Sequence, residues 1–224
     1  MPLPSVVTHP SRLTLRRRLI AAGVLAFAAA ASVGSWALRA PGPADLGKAN
    51  AMRHSGLAAL WKAGNVVVLV RHGERCDRSD SACLGDADGI TVAGSHVASQ
   101  VGDGLQALGM EQAQVFTSPL TRTRQTAMAM FGQAAATQDW LSTDCDKHML
   151  QDVVTHKQPG LNQVLITHSE CINALEEQAG LGGGDSPGYA SALFVSVDSA
   201  TGAAKVMGYL NASEWPRLLH HLKG

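Results

Sequence analysis

The first 40 residues contain no acidic side chain, although the 224-residue chain has 18 acidic and 18 basic ones. Five of the basic side chains lie in this leader, so residues 41–224 hold 13 basic and 18 acidic side chains, a net charge of −5. No cluster of lysine or arginine after residue 40 offers the broad positive face that phosphate backbones require, which excludes nucleic acid as a partner. With 46% apolar and 16% charged residues, the composition excludes disorder and fibrous repeats and indicates one globular domain behind the leader.

A long uncharged segment fills the second half of the leader. Arg16–Arg18 is followed by Leu19–Leu38, twenty residues without a charged side chain, and then by Arg39. A basic start followed by an apolar run is typical of an export signal. The run would also span a bilayer, so an uncleaved anchor is an alternative, and a buried amphipathic helix is another. We predict that residues 1–40 are a signal peptide or a signal anchor, with residues 19–38 as the segment that would attach an anchored form to the membrane.

Cysteine is scarce: the chain has four, and no two of them form a Cys-x2-Cys pair. An even number in an exported protein indicates disulfides, and four cysteines allow three pairings. Cys76 and Cys83 enclose a short loop that closes easily, which leaves Cys145 to pair with Cys171. A zinc site that includes Cys145 and His148 is an alternative, and buried free thiols are another.

Apolar runs alternate with amphipathic segments after residue 40. Val66–Val70 are five consecutive apolar residues, a pattern typical of a strand that is buried on both faces of a parallel sheet. The other predicted strands are residues 114–118, 164–167, 193–197 and 204–210, and the predicted helices are residues 50–61, 91–109, 119–130 and 169–177. Strands that alternate with helices predict an α/β fold, a three-layer sandwich whose mainly parallel central sheet is flanked by helices.

Polar residues follow three of the predicted strands at the points where these strands end. Arg71 and His72 follow the first, Ser118 and then Arg122 follow the second, and His168 follows the third. The ligand crevice of a parallel sheet lies beyond the carboxyl ends of its strands. We therefore expect two histidines and two arginines, distant in sequence, to meet at one edge of the sheet.

Two converging arginines are costly unless an anion lies between them, and a guanidinium matches the oxygens of a phosphoryl group. Positive neighbours would lower the pKa of His72 and keep its imidazole unprotonated, so that it can attack phosphorus. His168, if protonated, would stabilise negative charge on the phosphoryl oxygens. This set of residues needs no metal ion and no cofactor.

Three segments of the chain carry a resemblance to a known family. They are Val-Leu-Val-Arg71-His72-Gly73-Glu74, then Thr117-Ser118-Pro119-Leu120-Thr121-Arg122, then Val-Leu-Ile-Thr-His168-Ser169-Glu170. In this order they resemble the histidine phosphatase superfamily, which includes the cofactor-independent phosphoglycerate mutases. Within it, the export leader and the cysteine-bearing loop look most similar to the bacterial periplasmic branch around the lipopolysaccharide core heptose phosphatase.

The resemblance implies a role for each motif residue. His72 would be the nucleophile that forms a phosphohistidine, Arg71 and Arg122 would bind the phosphoryl group, and His168 would stabilise the transition state. It also implies that residues 64–224 are the catalytic domain, preceded by a linker and a short helix over residues 41–63, and that the protein acts in the periplasm.

One departure from the family pattern concerns the proton donor. Phosphoglycerate-mutase-like members place a glutamate between the second arginine and the second histidine, but residues 123–167 contain no glutamate. The missing glutamate argues against mutase activity. We expect Glu170 to be the donor, followed by Asp144 or Asp146, with Asp139 and Asp152 as the other carboxylates in this window; the alternative is that all of these are surface groups and no acid is needed.

Three further residues have more than one interpretation. Glu74 and Arg75 either contact the substrate or simply pair on the surface. Ser118 is expected to cap the following helix, because no adjacent histidine would activate it as a nucleophile. Substrate specificity is expected to depend on residues 75–90 and 131–160.

The sequence therefore predicts a metal-independent phosphomonoesterase that acts through a phosphohistidine on a periplasmic phosphorylated substrate, such as a phosphorylated sugar of lipopolysaccharide. The substrate would be a small phosphate ester or a glycan phosphate. Two alternatives stay open: a phosphohistidine-protein phosphatase, and a catalytically silent module that binds a phosphorylated glycan. A cysteine-dependent phosphatase is excluded, because no cysteine is followed by five residues and then an arginine.

Overall fold

A six-stranded sheet forms the centre of the protein in the computed structural model, which describes residues 40–48, 50–182, 187–198 and 200–222. The strands are β1 (Val66–Arg71), β2 (Ala113–Thr117), β3 (Ala136–Thr137), β4 (Asn162–Thr167), β5 (Ala192–Val197) and β6 (Ala204–Leu210). The helices are α1 (Ala51–His54), α2 (Leu57–Lys62), α3 (Val92–Leu108), α4 (Thr121–Phe131), α5 (Cys145–His156), α6 (Ser169–Gln178) and α7 (Trp215–Leu222).

Side chains that alternate along β1 fill two separate cores. All five residues of Val66–Val70 are fully buried. Val66, Val68 and Val70 face one core, which includes residues of α3 and α4 and the ring of Trp215, whereas Val67 and Leu69 face a second core under α5 and α6. Because successive side chains of a strand point to opposite faces, an uninterrupted apolar strand requires cover on both sides. This gives the three predicted layers.

The sheet order is β3-β2-β4-β1-β5-β6. β1, β2, β3 and β4 run parallel to one another, whereas β5 pairs antiparallel with both β1 and β6. The register aligns the carboxyl ends of the three central strands, since Arg71 lies opposite Thr167 and Thr117 lies opposite Ile166. The predicted α/β sandwich with a mainly parallel sheet is confirmed.

Two predicted helices differ from the observed ones. The helix expected over residues 50–61 is broken into α1 and α2, because Gly56 has a left-handed backbone with φ of 77°. The helix expected from Pro119 begins at Thr121, with Leu120 as its N-cap. Thr91 caps α3 as expected, since its Oγ1 accepts a hydrogen bond of 2.8 Å from the Gly94 amide.

All four cysteines form disulfides. Cys76 is bonded to Cys83, with Cα atoms 5.4 Å apart, and Cys145 is bonded to Cys171, with Cα atoms 5.2 Å apart. Both separations are ordinary for disulfides. The pairing is the predicted one, and it leaves no thiol for the zinc alternative.

The predicted leader, residues 1–40, lies outside the described residues except for Ala40. The described residues from Pro41 onward belong to one compact unit. None of the helices described in that unit has the length and apolar character needed to cross a membrane.

Candidate active site

The carboxyl edge of the sheet brings together the motif residues that the sequence singled out. His72 directly follows β1, and His168 directly follows β4 and is the N-cap of α6. Their ring centroids are 5.4 Å apart, and the two residues are 3% and 1% exposed. Arg71 is the last residue of β1, and Arg122 lies in the first turn of α4 after β2. The edge is therefore a buried histidine pair with two guanidinium groups beside it.

His72 is held in the tautomer that leaves its outer nitrogen free. Its Nδ1 lies 2.8 Å from the carbonyl oxygen of Gly73, which can only accept, so the proton is on Nδ1 and the lone pair is on Nε2. The pKa of His72 is lowered to about 3, mainly by burial and also by the charges of His168, Arg122 and Arg71, against the opposing hydrogen bond to Gly73. Nε2 is therefore unprotonated at neutral pH and can act as a nucleophile.

His168 is fixed by a chain of hydrogen bonds with one consistent direction. Nη2 of Arg122 donates to Nδ1 of His168 over 3.4 Å, and Nε2 of His168 lies 2.9 Å from Oγ of Ser118. Ser118 in turn lies 2.8 Å from Oγ1 of Thr123, which donates to the Leu120 carbonyl over 2.7 Å. Because Nδ1 accepts, Nε2 carries the proton and donates it to Ser118.

Ser118 therefore has a different role from the one expected. It does not cap α4, whose N-cap is Leu120. Its backbone amide donates to the Ile166 carbonyl, which continues the pairing of β2 with β4 for one residue and places the hydroxyl beside His168. Sequence order gave no sign of this contact, because the two residues are 50 positions apart.

His168 is neutral in this arrangement. Its pKa is lowered to about 4, first by burial and then by the charge of Arg122, whereas Glu170 acts in the opposite direction. The protonated form considered in the sequence interpretation thus needs an additional negative charge nearby, and a phosphoryl dianion supplies one. Neutral His168 carries a single N–H, on Nε2, as long as Nδ1 accepts the hydrogen bond from Arg122.

The two arginines are positioned by different neighbours. Arg71 donates through Nη1 to the carbonyl of Pro187, and its guanidinium carbon lies 4.0 Å from the ring centroid of Tyr189. The Nε atoms of Arg71 and Arg122 are both buried, and neither has a hydrogen-bond partner among the described residues. A buried donor without a partner is unfavourable, and an anion between the two guanidinium groups would satisfy both.

Tyr189 is a part of the site that the sequence interpretation missed. Its ring centroid lies 5.8 Å from that of His72, and the same ring stacks under Arg71. Tyr189 lies three residues before the start of the antiparallel strand β5, which enters the sheet at the edge where β1 leaves it. Tyr189 reaches the active site only because β5 runs antiparallel to β1, and no motif in the sequence predicts that strand direction.

Among the candidate proton donors, Glu170 is the one that lies near the motif residues. It is exposed in the first turn of α6, two residues after His168. Burial lowers the pKa values of Arg71 and Arg122, and the carboxylate of Glu170 acts against that lowering at both. The carboxylate thus lies within electrostatic reach of each cationic group of the site.

Asp144 and Asp146 make their contacts elsewhere. Asp144 is exposed and pairs with Lys147 over 2.6 Å, which holds the pKa of the carboxyl below its usual value and keeps it ionised. The backbone oxygen of Asp146 accepts a hydrogen bond from Gln178 at the far end of α6. The structure gives neither aspartate a contact with the motif residues.

Glu74 fixes the loop that borders the site. Its carboxylate accepts hydrogen bonds from Thr91, over 2.7 Å, and from Ser79, over 3.1 Å. The Cys76–Cys83 bridge closes the same loop, and Arg75 pairs with Asp77 inside it. Glu74 and Arg75 thus both have protein partners, as one of the two sequence interpretations expected.

The loop over residues 75–90 also places carboxylates beside the site. Burial and the charge of Arg75 lower the pKa of Arg122, whereas Asp77 and Asp88 both act to raise it. These aspartates were not among the predicted site residues, although they lie in a segment that was expected to determine specificity. The described residues contain no group of three or more histidine, cysteine, aspartate or glutamate side chains arranged to hold a metal ion.

A known protein family matches the part of the chain that contains the first two motifs. The model of the histidine phosphatase superfamily, branch 1, matches residues 67–141, which include Arg71, His72 and Arg122. His168 lies beyond the match and is brought to the same edge by β4. The predicted resemblance to the histidine phosphatase superfamily is confirmed.

Curated relatives narrow the resemblance. The chain is 38% identical over 118 residues to the lipopolysaccharide core heptose(II)-phosphate phosphatases of Salmonella arizonae and Salmonella typhimurium. The aligned part is 52% of this chain and 58% of each relative, so the chain spans little more than half the length of the curated relatives it matches.

Solved structures share the fold at low sequence identity. The protein histidine phosphatase SixA complexed with tungstate aligns with a TM-score of 0.51 and 15% identity, over 66% of this chain and 97% of that one. A phosphoserine phosphatase mutant from Entamoeba histolytica in complex with phosphoserine aligns with a TM-score of 0.50 and 11% identity, over 66% and 98% of the two chains.

Proposed function

We propose that this protein is a phosphomonoesterase in which His72 forms a phosphohistidine intermediate. The observation that carries the proposal is the geometry of His72: its Nε2 is unprotonated, its pKa is lowered to about 3, and beside it are two guanidinium groups whose Nε donors have no partner among the described residues. A neutral nucleophile between two fixed positive charges is the arrangement that attack on a phosphoryl dianion requires.

The first step transfers the phosphoryl group to the protein. Nε2 of His72 attacks phosphorus, the bond from phosphorus to the ester oxygen breaks, and the leaving oxygen takes a proton from Glu170, which enters this step in its carboxylic acid form. The hydrogen bond from Nδ1 to the Gly73 carbonyl stabilises the positive imidazole ring that forms. Water then attacks phosphorus, the bond to Nε2 breaks, and the ionised Glu170 takes the proton from water, so that phosphate leaves and both side chains return to their starting states.

Charge on the transferring group is balanced by Arg71 and Arg122, and by His168 once a bound phosphoryl dianion favours its protonated form. The guanidinium of Arg71 is positioned by Pro187 and Tyr189, and that of Arg122 by its place in the first turn of α4. Because these groups are in place before the substrate binds, little reorganisation accompanies the development of charge. The residues present supply the nucleophile, the charge and the acid without a cofactor.

The substrate proposed here is a phosphorylated sugar, specifically a heptose phosphate of the lipopolysaccharide core. Support comes from the lipopolysaccharide core heptose(II)-phosphate phosphatases, which share 38% identity with this chain over the aligned half of it. The same substrate would place the protein in the periplasm, which agrees with the export leader predicted over residues 1–40 and with two disulfides. If the leader is not cleaved, residues 19–38 would attach the protein to the inner membrane.

The alternatives give different results in one experiment. The full chain is mixed with an aryl phosphate labelled in its phosphoryl group and quenched in alkali, because phosphohistidine survives alkali and is lost in acid. We expect label on His72, and we expect His72→Ala to lose label and at least about a thousandfold in turnover. The matched control is His96→Ala, an exposed histidine on α3. Retained turnover in the His72 variant would contradict the proposal, and phosphate binding without turnover would indicate the silent binding module.

The substrate class is tested on the same protein. Phosphate release is compared between heptose phosphates, other sugar phosphates and a phosphohistidine-containing protein. A preference in kcat/KM for the sugar phosphates supports the proposed substrate, whereas a preference for the phosphoprotein supports the alternative. Either preference leaves the role of His72 unchanged, so the substrate and the mechanism can fail separately.

A further inference from the structure

A cavity lies behind residues 187–191, the segment that positions Arg71. It has a volume of about 380 Å³, and its wall includes Pro187, Gly188 and Ser191. The opposite side of this segment belongs to the active site, because the carbonyls of Pro187 and Ser191 accept hydrogen bonds from Nη1 and the backbone amide of Arg71. A cavity of this volume is in the range that small-molecule sites occupy.

Glu176 lines this cavity and is its one charged residue among the described lining residues. The side chain belongs to α6 and is only 4% exposed. No described residue forms a hydrogen bond or an ion pair with its carboxyl group. Its oxygens are not among the fully buried unpartnered atoms, because they open into the cavity, and a carboxylate with so little access to water is normally given a partner.

The other polar groups of the wall do not balance this carboxyl. The hydroxyl of Ser191 donates to the Gly188 carbonyl over 2.7 Å, and the side chain of Asn211 caps the turn at Glu214. Burial raises the pKa of Tyr209, and the charges of Asp45, Glu214 and Glu176 raise it further, so the surroundings of this ring are negative. The carboxyl of Glu176 therefore faces the cavity, and none of the described wall residues serves as its partner.

The remaining wall is apolar. Ile172, Ala192, Leu193 and Pro43 supply aliphatic surface, and the ring of Tyr209 supplies aromatic surface. One carboxylate is too few ligands for a divalent cation, which takes several oxygens. A carboxylate at the end of an apolar cavity instead fits an ammonium group on a hydrocarbon or sugar frame, since the ammonium donates hydrogen bonds and the frame contacts the aliphatic wall.

We infer that this cavity is a binding site for an organic amine in its ammonium form, with Glu176 as the group that binds the nitrogen. Burial raises the pKa of Glu176 to about 7, and a bound ammonium group favours the ionised form and lowers that pKa again. The site is separate from the His72 pocket, and the inference does not depend on the proposed phosphatase activity.

The probe for the test is cyclohexylammonium, with cyclohexanol as the neutral compound of the same size. Binding to the full chain is measured by calorimetry at pH 8, where the amine is protonated. We expect saturable binding of cyclohexylammonium and at least about tenfold weaker binding of cyclohexanol. Equal binding of the two would show that charge is not recognised and would overturn the inference.

Two variants locate the site. Glu176→Gln removes the charge at nearly constant shape and should weaken the binding of cyclohexylammonium by about tenfold or more. Glu177→Gln is the matched control, because Glu177 is the next residue of α6 and is exposed. Unchanged affinity in the Glu176 variant, or equal losses in both variants, would contradict the assignment.

A measurement on the wild-type protein covers the case in which the Glu176 variant does not fold. Methyl-labelled protein is titrated with cyclohexylammonium and followed by NMR. We expect the methyl signals of Ile172 and Leu193, which line the cavity, to shift along the binding curve. Shifts confined to other methyl groups would place the amine elsewhere and overturn the inference.

Discussion

The hydroxyl oxygen of Ser118 lies 2.9 Å from Nε2 of His168, and both residues are buried. This contact helps to determine which ring nitrogen of His168 carries the proton. With Arg122 donating to Nδ1, His168 presents its single proton to Ser118, and Thr123 orients the serine hydroxyl from the other side. Ser118 is thus a positioning residue for the imidazole that faces the nucleophile.

Removing this hydroxyl should impair the chemistry more than binding. In Ser118→Ala the buried Nε2–H loses its acceptor, which costs about 1–3 kcal/mol in the geometry that the site requires. We expect kcat/KM for an aryl phosphate to fall by about tenfold to a hundredfold. Histidine nitrogen NMR should show His168 changing from one tautomer to a mixture, a signature that a purely structural role would not produce.

A matched control separates this effect from loss of a hydroxyl in general. The hydroxyl of Ser95 donates to the Val92 carbonyl in the first turn of α3, away from the histidine pair. Ser95→Ala should leave turnover within about twofold of wild type. A Ser118 variant with wild-type turnover and an unchanged His168 spectrum would refute the positioning role.

The part of the site that the sequence predicted is the part attached to strand ends. Val66–Val70 is apolar throughout, so its end at Arg71 and His72 could be placed without tertiary information. A parallel sheet then forces the end of β4, and with it His168, to the same edge. These site residues could therefore be predicted from the sequence, because the local pattern places them at strand ends and parallel pairing brings those ends together.

The missed parts depend on tertiary register and on strand direction. Ser118 resembles a helix cap, but the extra pairing of its amide with Ile166 makes it the last residue at the edge of the sheet. Tyr189 precedes a strand whose antiparallel direction is not written in its apolar pattern. Glu176 is one of several acidic residues on an amphipathic helix, which the sequence analysis did not single out, and only the packing of α6 buries it.

The unprotonated state of His72 should persist into acid. Burial and positive neighbours disfavour the imidazolium form, so the pKa falls from the ordinary 6.5 to about 3 and the Nε2 lone pair remains available above that value. An unperturbed histidine would lose about tenfold of its neutral form per pH unit below 6.5. NMR titration should find His72 neutral at pH 5. Titration near pH 6.5 would contradict this account.

The same shifts make the fold less stable in acid. The unfolded chain binds protons at His72 and His168 below about pH 6.5, whereas the folded chain binds them only near the lowered pKa values of about 3 and about 4. The free energy of unfolding should therefore fall as the pH falls from 6.5 to 4, by up to about 1.4 kcal/mol per pH unit for each histidine. Urea unfolding across this range measures the slope. In His72→Ala the slope should be smaller, and an unchanged slope would contradict the assignment.

Glu170 should matter most for substrates with poor leaving groups. A sugar alkoxide needs a proton as it departs, whereas an aryl oxide departs without one. We expect Glu170→Gln to lower kcat/KM for a sugar phosphate by about a hundredfold or more and to change that for an aryl phosphate by no more than about threefold. The ratio kcat/KM is chosen because it reports the steps up to phosphoryl transfer to His72.

The control for this variant lies on the same helix. Glu177→Gln removes one exposed negative charge from α6 at a larger distance from His168 and should leave both substrates unaffected. Equal losses for sugar and aryl phosphates in Glu170→Gln would show that the carboxylate acts through general electrostatics. Proton donation would then have to be assigned to another group, and Asp77 or Asp88 in the neighbouring loop would be tested next.

The bridge between Cys145 and Cys171 joins α5 to α6 one helical turn after His168. The two cysteines are 26 positions apart. A disulfide that closes a loop of this length stabilises the folded state relative to the unfolded chain by about 3–4 kcal/mol. Replacing both with alanine should lower the free energy of unfolding by about that amount, as measured by urea unfolding. Because α6 carries both His168 and Glu170, turnover should also fall.

The second bridge provides the comparison. Cys76 and Cys83 are only 7 positions apart, so closing their loop contributes less, about 2–3 kcal/mol by the same entropy relation. This loop is also held by the hydrogen bonds of Glu74 to Ser79 and Thr91, which remain when the bridge is removed. The double alanine variant of this pair should therefore unfold at a higher urea concentration than the Cys145 and Cys171 variant. The reverse order would mean that the short loop, and not the start of α6, is the part of the fold that most needs a covalent tie.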